Sequence, residues 1–394
     1  MSNTTAFEEL FSAPLRNGVS YPTRLRGTGI PMINMKEIFA FDRIGDQECE
    51  LVPLTQAEFD SSLLEAGDLL FARQSLTFEG AGKCALVLPS GRDRTWESHL
   101  IRVRLDPQIA SPAYYYYYFR SPQGRQAIEA IIQQVAAAGI RGSDLRKLQV
   151  PHVAMEEQRA IAEVLGALDD KIASNARLVL TADSWVRVVY KEVQARTDEQ
   201  VTLDKLVDLV KDLVHPSAVP ADTAYVGLEH ISRRVMWLSS CGTTASIAST
   251  KWRFAAGDIL FGKLRSYFHK VVSAPVGGLC STDVLVVRPS DENIADFVLA
   301  AISSDEVVER CAAASKGTRM PRTSWKDLAA VKVAWPGEVA AYALSEKVLS
   351  LRNAAEAHLR ENNLLAAMRD ALLPDLMSGK VRVKDAEKIA EEVL

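Results

Sequence analysis

Little in this sequence points to chemistry. Among its 394 residues are five cysteines, Cys49, Cys84, Cys241, Cys280 and Cys311, far apart and never in a CxxC pair. Neither a disulfide framework nor a zinc site is expected, and buried thiols are the reading that remains. The six histidines (His99, His152, His215, His230, His269, His358) are dispersed, and no HExxH or GxSxG occurs. "EGAGKC" (Glu79 to Cys84) resembles a phosphate loop but has Thr77 where the first glycine belongs and ends in Cys84 instead of Ser or Thr. A methyltransferase would need a Gly-rich loop after its first strand and an Asn/Asp-Pro-Pro-aromatic turn, and a nuclease an acidic pair followed by Glu-x-Lys. Neither pattern is present. No catalytic site, metal or cofactor is expected. No apolar run approaches the roughly 20 residues of a membrane span, and the N-terminus is too polar for a signal peptide, so no membrane contact and a cytoplasmic location are expected.

An excess of positive charge is missing as well. Lys and Arg number 46 against 50 Asp and Glu, a formal charge of −4, which excludes a globally basic nucleic-acid coat. The charge is unevenly spread, however. Arg310, Lys316, Arg319, Arg322 and Lys326 follow one another with no acid between them, and Lys251 to Lys270 holds five Lys or Arg against Asp258 alone. Local patches of this kind can meet phosphates on an otherwise acidic protein.

What the sequence does have is a repeat. "AGDLLFAR" (Ala66 to Arg73) returns as "AGDILFGK" (Ala256 to Lys263), and around it the order of parts is kept. "PMINMKEI" (Pro31 to Ile38) matches "AYVGLEHI" (Ala224 to Ile231), and "SHLIRVRLDP" (Ser98 to Pro107) matches "TDVLVVRPSD" (Thr282 to Asp291). "SDLRKLQV" (Ser143 to Val150) matches "KDLAAVKV" (Lys326 to Val333), and "IAEVLGAL" (Ile161 to Leu168) matches "LSEKVLSL" (Leu344 to Leu351). A chain of this length exceeds one ordinary core, so two similar halves are expected.

Each half begins with short alternating strands such as "CALVL" (Cys84 to Leu88), "LIRVRL" (Leu100 to Leu105) and "VLVVRP" (Val284 to Pro289), followed by one helix and a last strand. The six aromatics from Tyr114 to Phe119 follow Ser111 and Pro112, an N-cap and first-turn proline, and on a helix they point all round; core packing is expected of them more than base stacking. Each half then ends in a long helix. Ile161, Leu165, Leu168, Ile172, Asn175, Val179, Ala182, Val186 and Val189 alternate steps of four and three, as do Leu344, Val348, Leu351, Ala355, His358, Asn362 and Leu365. The fold class read here is α+β. Two similar globular domains are joined by two long helices in an antiparallel intramolecular coiled coil, related by a pseudo-twofold repeat. The boundaries are 1–153 and 199–336 for the globular domains, 154–198 and 337–380 for the helices, and 381–394 for a tail. Asn175, His358 and Asn362 near the helix middles either fix register by a buried polar contact or sit at a wet edge.

At this point the residues carry a family resemblance. Two variable α+β domains, each with "AGD-[LI]-LF" and each followed by a long helix, resemble the specificity subunit of type I restriction-modification enzymes. "EEQRAIAEVLGALDDKI" (Glu156 to Ile172) is similar to that family's proximal conserved region, "ALLPDLMSGKVRV" (Ala371 to Val383) to the end of its distal one, and "PLRNGVSYP" (Pro14 to Pro22) to its N-terminal segment. The second copy departs, with "VAA" (Val339 to Ala341) in place of "EEQ". The resemblance implies target recognition without chemistry. Each globular domain would be a target-recognition domain reading one half of a split, asymmetric site in double-stranded DNA, with two methyltransferase (modification) subunits and restriction (nuclease-translocase) subunits as partners.

Base-edge and phosphate contacts need basic, amide and hydroxyl groups on loops held by a rigid frame. Such loops follow each octet: Arg73, Gln74 and Ser75 in the first copy, and Lys263, Arg265, Ser266, Tyr267 and His269 in the second. A second loop precedes each last strand, with Arg141 and Ser143 in one copy and Lys316, Thr318, Arg319 and Arg322 in the other. Gly67, Asp68 and Phe71, like Gly257, Asp258 and Phe261, are expected to be a turn and core anchor instead. A stand-alone bipartite DNA-binding protein of the repressor kind and a coiled-coil protein scaffold are the competing readings. The helix spacing is directly testable: probes at Ser174 and Ala357 are expected to lie close together, and a separation of several tens of ångströms would sink the antiparallel pairing.

Overall fold

The computed structural model of the chain describes residues 4–134, 137–315 and 320–391. The chain divides into two compact units, one built from residues 1–170 with 365–394 (unit 1) and one from the continuous stretch 171–364 (unit 2).

Unit 1 is built on a five-stranded sheet in the order Phe11–Asn17, Leu100–Leu105, Leu69–Ala72, Cys84–Val87, Arg43–Ile44. Its central strands are apolar on both faces because both are covered. Leu70, Ala72, Ala85, Val87 and Leu100 join Ile33, Ile38 and Trp96 in one core, while Phe71 packs edge-on against Phe119 with ring centroids 5.0 Å apart. A smaller sheet orders Glu50–Val52, Ile30–Ile33 and Thr95–Trp96, and the first strand, Thr4–Ala6, pairs antiparallel with the last, Gln149–Pro151.

The aromatic run forms the helix Pro112–Arg120, capped by the Ser111 side chain, which accepts the N–H of Tyr114. All six rings are buried. The chain then makes a second helix, Pro122–Glu129, where the sequence suggested only one. Ser121 caps it by accepting the N–H of Gly124, and a Cβ on Gly124 would fall 2.0 Å from the Tyr118 carbonyl oxygen, so only glycine allows the junction.

Unit 2 repeats this plan. Its sheet orders Val207–Leu209, Val284–Pro289, Ile259–Gly262 and Val271–Ser273, the same succession as in unit 1 without the fifth strand. The second sheet again carries a parallel pair, Tyr225 beside Leu279, as Met32 lies beside Thr95 in unit 1. Gln200–Thr202 pairs with Lys332–Ala334 as the first and last strands. The sequence repeat is therefore a repeat of topology.

The long helices run Met155–Arg196 and Glu338–Met377. Within unit 2 their segments lie side by side and antiparallel. Asn175 Nδ2 donates to Asn362 Oδ1 at 3.0 Å, and Asn362 Nδ2 donates to the Ile172 carbonyl at 3.2 Å; at the other end the Trp335 N–H donates to the Glu199 carbonyl at 2.9 Å. Asn175 is 2% exposed, so the polar step in the seam is a buried contact. The apolar steps, Val179, Ala182, Val186, Leu344, Val348 and Ala355, are buried with Phe297 and Tyr190 in the unit 2 core. Within unit 1, Asp169 accepts Arg369 Nη1 at 2.6 Å and the Tyr117 hydroxyl at 2.7 Å, and Arg43 Nη2 donates to Asp170 at 2.7 Å. The missing "EEQ" of the second copy has a structural counterpart. In unit 1 the buried Gln158 accepts the Ser111 N–H at 2.9 Å; in unit 2 the Ser345 hydroxyl accepts the Phe297 N–H at 2.9 Å instead.

The octet itself is a turn and an anchor, as its residue types suggest. Gly67 and Gly257 adopt φ of +91° and +87°, a region that favours glycine. Asp68 is fully buried and takes a two-pronged bond from Arg104, Nε at 2.7 Å and Nη2 at 2.8 Å, while accepting the Glu65 N–H at 2.8 Å. Unit 2 reproduces this with Arg288 on Asp258 at 2.7 and 2.8 Å and the Ala255 N–H at 2.8 Å. Two parallel charge-assisted bonds fix geometry as well as energy. Removing the cation strands a buried carboxylate, whereas removing the carboxylate leaves an arginine that still reaches Glu65. Arg104→Leu is therefore expected to destabilise unit 1 by about 3–5 kcal/mol, more than Asp68→Leu does. Denaturant melts of the two variants check this; equal losses would show that the fork is not what Asp68 depends on.

Candidate nucleic-acid interface

In unit 1 the two candidate loops become neighbours through the backbone. The Arg73 N–H donates to the His99 carbonyl at 2.8 Å, and the Arg73 carbonyl accepts the Ile140 N–H at 2.9 Å. Just beyond, Gln74–Ser75 pairs with Ala138–Gly139, which pairs in turn with Gln133–Gln134. A groove of about 540 Å³ runs between the loops, lined among others by Arg73, Gln74, Arg141, Asn17 and Leu15. A second of about 550 Å³ shares Leu15 and Gly142 with it and reaches Ser143 and Arg146. Gln74, Arg141 and Ser143 are exposed or half-buried, as are Arg73 and Ser75. The N-terminal segment thus contributes Leu15 and Asn17, which the sequence marked only through its resemblance.

Unit 2 ties its loops with the same bonds at equivalent positions. The Lys263 N–H donates to the Asp283 carbonyl at 3.0 Å, and the Lys263 carbonyl accepts the Thr323 N–H at 3.0 Å. The Arg265 N–H adds a bond to the Pro321 carbonyl at 2.8 Å. Arg322 donates through Nε to Asp283 at 3.0 Å. Lys316, Thr318 and Arg319 lie outside the described residues.

Two of the expected contact residues are turned inward. Ser266 and His269 are each 3% exposed. His269 Nε2 lies 2.8 Å from the Ser303 carbonyl and Nδ1 3.4 Å from Asp305, and burial holds its pKa below the ordinary imidazole value. Ser266 Oγ is 3.3 Å from Ser315 Oγ. Both side chains shape the loop from within: the short turn Ser266–Phe268 is bracketed by Arg265 and His269 at φ of +51° and +53°, a conformation that persists only where surrounding bonds hold it. The outward members of this loop are Tyr267, 55% exposed, and the half-buried Lys263 and Arg265.

Sequence reasoning missed Arg233. It belongs to "ISRRV" (Ile231 to Val235), beyond the matched segments of the repeat, yet its guanidinium lies 3.9 Å from the centre of the Phe268 ring. The doubled arginine was visible, but only the fold ties it to a loop distant in sequence. No group of three or more His, Cys, Asp or Glu among the described residues is placed to hold a metal ion.

Comparison with known proteins bears on this geometry. Residues 9–180 match the family model described as the type I restriction modification DNA specificity domain. That stretch is similar to a specificity domain. Over 199 residues the chain is 25% identical to the type I restriction enzyme EcoDI specificity subunit of Escherichia coli, a match that covers 45% of this chain and 44% of that relative, so the chain spans less than half the length of the curated relative it matches. The crystal structure of a type I restriction-modification system S subunit from M. genitalium superposes with a TM-score of 0.59 at 17% identity, covering 95% of each chain. The chain's fold is thus similar to that of this S subunit, and the resemblance read from the sequence agrees with all three comparisons.

The approach of the two loops in unit 1 can be checked by crosslinking. Ser75 and Ala138 are directly paired across antiparallel strands, where Cα separations of about 4.5–5.5 Å lie within disulfide reach. The double variant Ser75→Cys, Ala138→Cys is expected to lose both new thiols on mild oxidation. Two thiols that stay titratable in the folded protein would separate the loops.

Proposed function

We propose that this chain is the DNA-recognition subunit of a type I restriction-modification complex, reading a split asymmetric site and positioning two methyltransferase subunits and the restriction subunits without catalysis of its own. The observation that carries the reading is the matched pair of backbone bonds in the two units. In each, the residue that ends the octet is locked to the loop before the last strand, and around that lock the polar and basic side chains differ: "RQSLTFEGAGK" from Arg73 against "KLRSYFHKVVS" from Lys263. One frame with two different edges is what two half-sites require. The specificity-domain match and the S-subunit fold support the same reading.

In this proposal 1–153 and 199–336 are the target-recognition domains, 154–198 and 337–380 are the two arms of an antiparallel coiled coil, 381–394 is the tail, and the complex works in the cytoplasm. Arg73, Gln74, Ser75, Arg141 and Ser143 face one half-site. Lys263, Arg265, Tyr267 and Arg322, with Lys316, Thr318 and Arg319, face the other, while Ser266 and His269 hold the second loop in shape. An arginine on phosphate weakens binding to every sequence when removed, whereas one on guanine costs about 1–3 kcal/mol at one position only.

Two different readers on one coil of about 40 residues, about 60 Å at 1.5 Å per residue, cannot adjust their spacing freely. Two unrelated short blocks separated by a fixed gap are expected, their centres about one turn of about 10 base pairs apart. Mapping methylated bases in DNA from the source cell reads the site directly. Deleting four residues from each helix in matched positions is expected to shorten the gap by roughly two base pairs and leave both blocks unchanged. A continuous site, or a gap indifferent to the deletion in a folded protein, refutes the ruler. Tight, sequence-specific DNA binding by the isolated chain favours a repressor, dependence on a methyltransferase partner favours the reading proposed here, and salt-insensitive partner binding with no DNA favours a scaffold.

A further inference from the structure

We infer that Arg233 and Arg265, gathered on the Phe268 ring, form with the neighbouring Lys270 a clamp for a DNA backbone phosphate; the inference rests on the DNA-recognition reading above. Arg233 stacks on Phe268 with its guanidinium 3.9 Å from the ring centre, and Arg265 approaches the same ring at 6.0 Å. The two arginines come from segments far apart in sequence, so the fold has been arranged to bring like charges together. Arg233 also lies close enough to Lys270 to push its pKa down, after the larger effect of burial, with Glu229 opposing. Lys270 is fixed by donating to the Leu228 carbonyl.

The placement of Arg233 is built from both sides. Its neighbour Arg234 adopts φ of +57°, donates its N–H to the His269 carbonyl at 2.9 Å and pairs through Nη1 with Asp305 at 2.8 Å. That one residue pins the Ile231–Val235 segment to the loop and takes up the carboxylate next to it. Asp283 is occupied by Arg322. Arg233 itself is exposed and in no ion pair among the described residues. Stacking leaves the edge of a guanidinium free to donate while restricting its motion, so little freedom is lost when an anion docks. Three converging cations against one carboxylate, Glu229, favour a phosphate oxygen, since each gains most from a shared negative partner.

The test is a salt series on the full chain with two duplexes of unrelated sequence and equal length. Removing one phosphate contact lowers the slope of log K against log salt by about 0.9. Arg233→Gln is expected to do so equally on both duplexes, with thermal melting unchanged. Phe268→Leu keeps all three cations but frees Arg233, and is expected to weaken both duplexes severalfold with the slope unchanged. A slope unaltered by Arg233→Gln, or a loss confined to one duplex, overturns the clamp while leaving the recognition reading intact. A wild-type chain with no salt-dependent affinity for either duplex, both alone and with methyltransferase subunits added, overturns the recognition reading, and the clamp with it.

Discussion

A helix of 42 residues with an apolar stripe on one side has to cover that stripe, and the way it does so ties the long helices to the globular parts. In unit 2 the stripe from Val179 to Tyr190 is closed by Leu344, Val348 and Ala355 on one side and by the helix carrying Phe297 on the other, so the long helices and the globular part share one core. In unit 1 the closure has a charged rim: Tyr117 and Arg369 converge on Asp169, and Arg43 on Asp170. Within its own unit each globular part is bonded to segments of the long helices, and in unit 2 those segments complete the core.

The same constraint explains the polar step in the seam. Asn175 and Asn362 satisfy each other and the Ile172 carbonyl, where a slip of one turn would leave amides facing apolar groups. Stability is given up at that step and a single register is obtained. The second copy's loss of "EEQ" is a milder instance of such substitution: Gln158 and Ser345 sit a turn apart in the repeat and bind N–H groups at the start of equivalent short helices.

Most of the fold was legible because the signals were periodic and duplicated. A four-three spacing fixes helix ends when capping and breakers agree, and two copies of a strand pattern confirm each other, as with Leu100–Leu105 and Val284–Pro289. What escaped was decided by tertiary packing. Ser266 and His269 have the residue types of a contact loop, but left-handed backbone at Arg265 and His269 turns them inward, and no propensity foretells that. Arg233 escaped for the opposite reason: its partner ring is remote in sequence. The break at Ser121 was hidden by an aromatic run that reads as one continuous helix.

The Asp–Arg fork isolates the loops mechanically from the frame. Both carboxylate oxygens of Asp68 and Asp258 are spent on arginine and on a neighbouring N–H, so the strand leaving each turn starts from the same anchored point whatever follows it. The stretch between such a socket and the paired lock before the last strand carries the core strands and the exposed loop alike, so the loop can differ between the two copies, as "RQSLTFEGAGK" and "KLRSYFHKVVS" do, while the turn, the fork and the lock keep the same bonds.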